Sequence, residues 1–182
     1  VKNNWIISID PDEYLEKGLV RNILESIKND EISVISVPWK FFFKNRPLKG
    51  TIWARKQYKE IVFNLNHVRF KSSIIEPFIF KRGFRKKIRA NFFLNHNWVE
   101  DFSELKEKIE RYAKIEGEEK FNNGVKYSFL WKLLKSIFWF IINFFYYRGF
   151  VDGKVGFNLS FYYAKYIWNI DNRLRDLHMK KK

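Results

Sequence analysis

The chain has 182 residues, enough for one domain with a substantial core or for one domain with an appended module. Its 35 Lys and Arg against 20 Asp and Glu give a formal net charge of +15, which favours an anionic partner: a phosphorylated ligand, a nucleic acid or an anionic membrane. The absence of cysteine excludes a disulfide framework and a cysteine-based zinc site.

The first half of the chain alternates strand-like runs with turns. Residues 5–9 predict a buried strand that ends in three closely spaced acids, Asp10, Asp12 and Glu13. A helix is predicted over about 16–28, because apolar residues recur there every four positions (Leu15, Leu19, Ile23, Ile27). Strands are predicted at 32–43 and 60–70, and a hairpin around Gly83 at 77–94.

Residues 99–182 are predicted to be mostly helical. Asp101, followed three residues later by Glu104, is typical of a capping box at a helix start, and Leu105, Ile109 and Tyr112 form the apolar stripe of that helix.

The longest run without a charge is 136–147, which as a helix would cover about 18 Å of a roughly 30 Å hydrocarbon core and is therefore too short to span it. Interfacial aromatics accompany it, and four bases flank it: Lys126, Lys132, Lys135 and Arg148. The pattern fits a helix lying in a membrane surface, and it also fits a core helix covered by its neighbours.

Asp10 and Asp12 form an Asp-x-Asp pair at the end of the first predicted strand. Two carboxylates at this spacing can converge on one hard cation, Mg²⁺ or Mn²⁺, which in turn neutralises a diphosphate. The same residues also favour a turn and the start of the helix that follows. The pair alone leaves both interpretations open.

Further motifs follow in order along the chain. "WIISIDPDE" resembles the strand and Asp-x-Asp loop of family 2 glycosyltransferases, and "LKGTIW", "NHVRFK" and "NHNWVEDFSELKEKIERYAKIEGEEKFNNG" resemble acceptor-side segments of one branch of that family. "YYRGFVDGKVGFNLSFYYAKY" resembles the C-terminal element of bacterial enzymes that add sugars to lipopolysaccharide cores and related surface glycans. The ordered combination covers nearly all of the chain and is more specific than any one motif.

The resemblance implies an α/β fold of the GT-A type. Residues 1–98 would form the Asp-x-Asp strand and the acceptor-side part of the domain, and residues 99–182 a helical, membrane-surface-associated region. It also implies a metal-dependent, inverting glycosyltransferase with Mg²⁺ or Mn²⁺ as cofactor. The enzyme would move a sugar from a nucleotide-sugar donor to a lipid-linked or lipopolysaccharide-type acceptor, with no nucleic acid as partner. It would be cytoplasmic, peripheral on the anionic inner face of the cytoplasmic membrane.

The resemblance also suggests roles for individual residues. Asp10 would lie near the sugar or ribose of the donor, Asp12 would be the more direct metal ligand, and Glu13 would orient the loop. Glu76 and His96 are the candidate catalytic residues, although Ile75 stands where the family usually has a histidine.

The family's first strands, which build the pocket for the nucleotide base, have no counterpart in this sequence. We therefore expect a partial GT-A sheet that lacks its N-terminal nucleotide-binding half, as in the C-terminal portion of a longer enzyme, and no transferase activity from the isolated chain. Two alternatives stay open: a basic, aromatic nucleic-acid-binding module, suggested by the six bases in 81–89, and a non-catalytic membrane-surface protein.

Overall fold

The computed structural model describes residues 3–55, 57–71 and 78–180, and shows a mixed α/β fold with a curled mixed sheet and a C-terminal helical region. The strands are β1 (Trp5–Ile7), β2 (Glu13–Leu15), β3 (Ile32–Phe43), β4 (Arg46–Pro47), β5 (Tyr58–Asn64), β6 (Val68–Phe70), β7 (Phe78–Phe80), β8 (Phe84–Lys87) and β9 (Leu94–Val99). The helices are α1 (Lys17–Ser26), α2 (Thr51–Arg55), α3 (Phe102–Asn122), α4 (Phe129–Ile141) and α5 (Gly153–Lys180). A π-helical turn follows α4 at Ile142–Tyr146, and a 3-10 turn at Gly149–Asp152 precedes α5.

The chain forms two compact units, and each is discontinuous in sequence. The first, the sheet unit, comprises Val1–Phe42 and Lys56–Trp98. The second, the helical unit, comprises Phe43–Arg55 and Val99–Lys182. The segment that carries α2 therefore belongs with the long helices rather than with the strands on either side of it.

The strand order of the sheet is β1-β5-β3-β9-β2. β5 pairs antiparallel with β1 and with β3, and β9 pairs antiparallel with β2. β8 runs parallel to β3 along the edge opposite to β5, since both strands pair with Val34, Ile35 and Ser36. β6 and β7 form a separate antiparallel pair.

The core of the sheet unit forms where α1 packs against one face of the sheet. Leu19 and Ile23 of α1 are buried against Ile35, Val37 and Ile61. The predicted helix is therefore confirmed over Lys17–Ser26, whereas Leu15 of β2 and Ile27, just after the helix, pack at the margin of the same cluster. The strand predicted at 32–43 is confirmed as well.

The strand predicted at 5–9 is confirmed over Trp5–Ile7, but its predicted burial is wrong. β1 comprises Trp5–Ile7, stands at the end of the strand order, and leaves Ile7 and Ile9 50% and 44% exposed. A strand at this position has one neighbour in the described sheet, so part of its apolar surface remains uncovered.

The strand predicted over 60–70 is two strands, because the Asn64 side chain closes a turn between them. Its Oδ1 accepts a hydrogen bond from Asn66 N at 3.0 Å, and Asn64 O accepts one from His67 N at 2.9 Å. This side chain-to-backbone bond competes with continued strand pairing.

The hairpin predicted around Gly83 is also wrong, because the strands on either side of it have different partners. β7 pairs with β6, whereas β8 pairs with β3. Gly83 has φ +78°, and the turn is held by Ser33, whose Oγ donates to Arg82 O. The bond from β3 turns the chain into β8 and away from β7.

In the helical unit, α5 packs against both α3 and α4. Half of the predicted capping box of α3 is confirmed: Asp101 Oδ1 accepts from Ser103 N and Glu104 N, at 2.7 and 2.9 Å, whereas Glu104 accepts from Glu100 N and not from Asp101 N. Leu105 and Ile109 are buried as predicted, but Tyr112 is half exposed, and Ala113 takes the buried position one residue later.

Side chains from the turns before α5 hold the loop that leads into α2. Asp152 accepts hydrogen bonds from Lys49 N and Gly50 N, the latter at 2.7 Å. Asn143, fully buried in the π-helical turn, accepts one from Ile52 N at 2.6 Å. The element "RGFVDGKVG" therefore fixes the position of "LKGT" within this unit.

Gly156 provides a test of this packing, because a Cβ built on it would lie 1.8 Å from the carbonyl oxygen of Gly149. We predict that Gly156→Ala lowers the free energy of unfolding by about 2 kcal/mol or more, since backbone must move to admit the methyl group. Urea denaturation followed by circular dichroism measures this. Lys154→Ala, an exposed change in the same turn of α5, is the control and should be nearly neutral; equal stability of the two variants would contradict the prediction.

Candidate functional site

The predicted Asp-x-Asp segment is a turn at the end of β1. Asp10 O accepts a hydrogen bond from Glu13 N at 3.0 Å, which closes a four-residue turn. Pro11 takes the first central position of this turn, a position that proline favours. The Glu13 carboxylate accepts in return from Asp10 N at 2.9 Å. The chain then forms β2 and begins α1 only at Lys17, so the acids start a turn and not a helix.

The ammonium group of Lys59, at the start of β5, joins the two ends of this turn. Its Nζ lies 2.7 Å from Asp10 Oδ2 and 2.8 and 2.7 Å from the two carboxylate oxygens of Glu13. The Glu13 side chain is 0% exposed, so its charge requires a partner within the protein. The same ammonium lies 5.1 Å from the ring centroid of Trp39 on β3.

His96 holds the other aspartate of the turn. β2 and β9 pair so that Glu13 and His96 are directly opposite, and His96 Nε2 lies 3.2 Å from Asp12 Oδ2. The imidazole stacks on Trp39, with centroids 5.5 Å apart and planes 6° from parallel. Its Nδ1 is buried without a hydrogen-bond partner, 3.9 Å from Glu13 Oε1.

Burial lowers the pKa of His96 from its ordinary value of 6.5, and this effect outweighs the nearby carboxylates of Asp12 and Glu13, which raise it. The imidazole is therefore neutral at pH 7. A neutral imidazole donates through one nitrogen only, and the contact with Asp12 makes Nε2 the donor.

The structure thus brings together four of the residues singled out in the sequence, Asp10, Asp12, Glu13 and His96. Lys59 and Trp39 were not predicted, because one lysine in a strand and one tryptophan in an apolar run carry no local signal. The other candidate catalytic residue, Glu76, lies outside the described residues.

The donor set can be tested against Mg²⁺ or Mn²⁺. The side chains of Asp10 and Asp12 are 60% and 34% exposed, and their oxygens are the hard ligands that these cations prefer. Within residues 3–55, 57–71 and 78–180, no group of three or more His, Asp or Glu side chains is arranged to hold a metal. One oxygen of Asp10 contacts the Lys59 ammonium and one oxygen of Asp12 contacts His96, so the turn is not a dedicated protein cage, and a cation here would need its other ligands from a substrate.

Two cations of the basic segment at 81–89 lie over aromatic rings of neighbouring strands. Arg85 pairs with Glu60 at 3.0 Å and lies 5.0 Å from the centroid of Phe80. Lys87 Nζ lies 3.6 Å over the ring of Tyr58, the residue before Lys59.

Comparison of the chain with known protein families, with curated proteins and with solved structures returned no match.

The Lys59 contacts predict a large effect on stability. Lys59→Met should lower the free energy of unfolding by about 2–3 kcal/mol, because it leaves the buried Glu13 carboxylate without its cation. Chemical denaturation measures the change. Lys28→Met removes an exposed pair with Glu25 and should leave stability near that of the parent. If both variants lose the same amount, Lys59 has no special structural role.

The His96 pKa predicts a pH dependence. The unfolded chain binds a proton at this histidine near pH 6.5 and the folded chain only at lower pH, so stability falls as the pH drops below about 6.5. His96→Asn should remove part of this dependence. Urea midpoints of both proteins at about pH 7.5 and about pH 5.5 give the comparison. Identical pH dependence in parent and variant would contradict a depressed pKa at His96.

Proposed function

We propose that this chain carries the diphosphate-facing loop and the acceptor-side part of a GT-A-type glycosyltransferase. The reaction is transfer of a sugar from a nucleotide-sugar donor to a bacterial surface-glycan acceptor such as a lipopolysaccharide core. The observation that carries the proposal is the Asp10–Glu13 turn, in which Asp10 and Asp12 stay accessible while Glu13 is buried and paired.

In this proposal each acidic residue of the turn has a different role. Asp12 would hold the cation and Asp10 would lie near the sugar or ribose of the donor. Mg²⁺ or Mn²⁺, when bound, stabilises the negative charge on the leaving nucleoside diphosphate. Glu13 and Lys59 keep the turn closed, since both carboxylate oxygens of Glu13 contact the ammonium and one of them also accepts from Asp10 N.

His96 is a positioning residue in this proposal. Its ring is almost fully buried between Trp39 and the turn, and Nε2 is engaged by Asp12, so it orients that carboxylate. The proton of the acceptor hydroxyl then goes to a carboxylate, and Glu76 is the candidate.

The nucleic-acid alternative has less support. Base-stacking platforms need exposed rings beside phosphate-binding cations. Three rings that neighbour the basic segment, Tyr58, Phe78 and Phe80, lie under Lys87 and Arg85 of the chain itself, and Phe84, the one aromatic residue of the segment, is 44% exposed.

Binding of Mn²⁺ in the presence of uridine diphosphate tests the role of the loop without requiring turnover. We predict that the 182-residue chain binds the Mn²⁺–nucleotide pair and that Asp12→Asn weakens this binding by about tenfold or more, because one hard ligand is lost. The paramagnetic resonance signal of free Mn²⁺ measures it.

The matched control is Asp30→Asn, an exposed aspartate outside the turn, which should bind as the parent does. Unchanged binding by Asp12→Asn would remove Asp12 from the proposed site. His96→Asn separates positioning from ligation: it should weaken Mn²⁺ binding, but less than Asp12→Asn does.

A further inference from the structure

The helix α4 buries its polar side and exposes its apolar side. Lys132, Ser136 and Asn143 of the helix and its π-helical continuation are 2%, 8% and 0% exposed. At 3.6 residues per turn these three positions fall on one side of the helix. In a water-soluble helix this side would face solvent and an apolar stripe would face the protein.

The buried polar side is matched by polar groups of α5. Lys132 Nζ donates to Asn172 Oδ1 at 2.8 Å and lies 3.4 Å over the ring of Trp168. Lys135 pairs with Asp171, a buried carboxylate, at 2.6 Å. Two of the four bases predicted to flank an apolar run therefore bind the neighbouring helix.

The opposite side of the same helix forms an exposed apolar face. Six residues define it, between 47% and 65% exposed: Leu130, Trp131, Leu134, Phe138, Ile141 and Phe145. They fall within about 100° of one another around the helix, opposite the buried polar side.

Aromatic contacts extend this face beyond the helix. Phe144 packs against Phe150 of the 3-10 turn and against Phe157 of α5, with centroids 6.3 and 5.7 Å apart. Phe150 and Phe157 are themselves about half exposed. A contiguous apolar surface of this extent marks an interaction site.

The charges around the apolar face are almost all positive. From Lys126 to Lys154 the sequence contains five basic residues and one acid, Asp152. The carboxylate of Asp152 is engaged by backbone N–H groups of the α2 loop. Lys126, Arg148 and Lys154 remain exposed, beyond the two ends of the apolar stretch. This arrangement complements a surface that is apolar inside and anionic at its rim, as a bilayer with anionic headgroups is.

We propose that the apolar face of α4 inserts into the surface of an anionic lipid bilayer, with the helix in the plane of the membrane and α5 on its water side. Exposed lysines and Arg148 then meet lipid phosphates, and the aromatic rings enter the boundary between headgroups and acyl chains. Membrane binding of this kind does not require glycosyl transfer, and for the proposed transferase it would hold the site near lipid-linked acceptors.

An in-plane orientation fits the contacts better than a crossing one. The apolar helix is longer than the uncharged run 136–147 predicts: by length and composition alone Phe129–Tyr146 could cross a membrane, so the expectation that it is too short is wrong, and 11% of these residues are buried. A crossing helix would carry the Lys135–Asp171 pair and the adjoining charges of α5, Arg173 and Arg175, toward the hydrocarbon, where charges are costly. In the plane of the membrane, this side stays in water.

Flotation with vesicles tests the proposal on the full chain. We expect binding to vesicles of equal parts phosphatidylcholine and phosphatidylglycerol, and weaker binding to phosphatidylcholine alone. The triple variant Trp131→Ser, Phe138→Ser and Phe145→Ser should lose about a hundredfold or more in partitioning, because three large side chains no longer leave water. The matched control Tyr112→Ser, Ile115→Ser and Met179→Ser changes three exposed apolar residues elsewhere in the helical unit and should bind as the parent does.

Two further experiments measure the contribution of the exposed lysines to binding and the depth to which the apolar face inserts. Lys126→Gln with Lys154→Gln should reduce the preference for anionic vesicles by about tenfold. Because the chain has no cysteine, Phe138→Cys can carry a polarity-sensitive fluorophore, whose emission should shift to the blue on binding, whereas Lys106→Cys on α3 should not respond.

Three results would overturn the proposal. The first is vesicle binding by the triple variant equal to that of the parent, with circular dichroism showing both folded. The second is that the parent does not bind vesicles but forms a dimer in their absence, and that the triple variant does not form this dimer. The apolar face would then bind a second copy of the chain. The third is that a water-soluble reagent reaches one end of α4 only from outside sealed vesicles and the other end only from inside. The helix would then span the membrane.

Discussion

The arrangement of the sheet unit's site depends on one ammonium group. Lys59 reaches from β5 to both ends of the Asp10–Glu13 turn and compensates a glutamate that has no access to water. Without that cation, Glu13 has no reason to remain buried opposite His96, and the hydrogen bond it accepts from Asp10 N loses its anchor. Asp12 is then oriented from the other side by His96. The loop is therefore ordered before any ligand arrives, which lowers the conformational entropy that a binding partner must overcome.

Local patterns were sufficient where local forces decide the structure. The stripe of α1, the strand at 32–43 and the Asp101 cap follow from spacing and residue type, and all three are confirmed. The strand at 60–70 and the hairpin at Gly83 were mispredicted because Asn64 and Ser33 make side-chain hydrogen bonds that alternation does not reveal. The site depended on pairing across the sheet: Lys59 is 49 residues from Asp10 and 46 from Glu13, and only the strand register brings them together.

The helical unit shows a different limit of sequence patterns. An apolar run bounded by lysines fits both a membrane-surface helix and a buried one, because composition does not say which side meets the protein. Lys132 shows that polar groups of α4 face the protein, since its ammonium contacts Trp168 and Asn172 of α5. Trp139 and Phe140 of the same helix pack against Tyr163 and Phe157, so the protein side is mixed. Buried polar side chains can thus share a helix contact with aromatic ones while other large apolar side chains face outward, an arrangement that periodicity alone does not reveal.

The hydrogen bonds from Asp152 to Lys49 and Gly50 join parts of the chain more than 100 residues apart. As the chain leaves the ribosome, residues 43–55 emerge long before the turns that hold them, and the strands up to Trp98 are made in between. The sheet unit can close around α1 while the α2 segment is still waiting for its partners. Contacts this distant in sequence slow folding, and domains form during synthesis roughly in the order in which they emerge. We therefore expect the helical unit to assemble after the sheet unit, because α2 meets its partners only when the turns before α5 have been made.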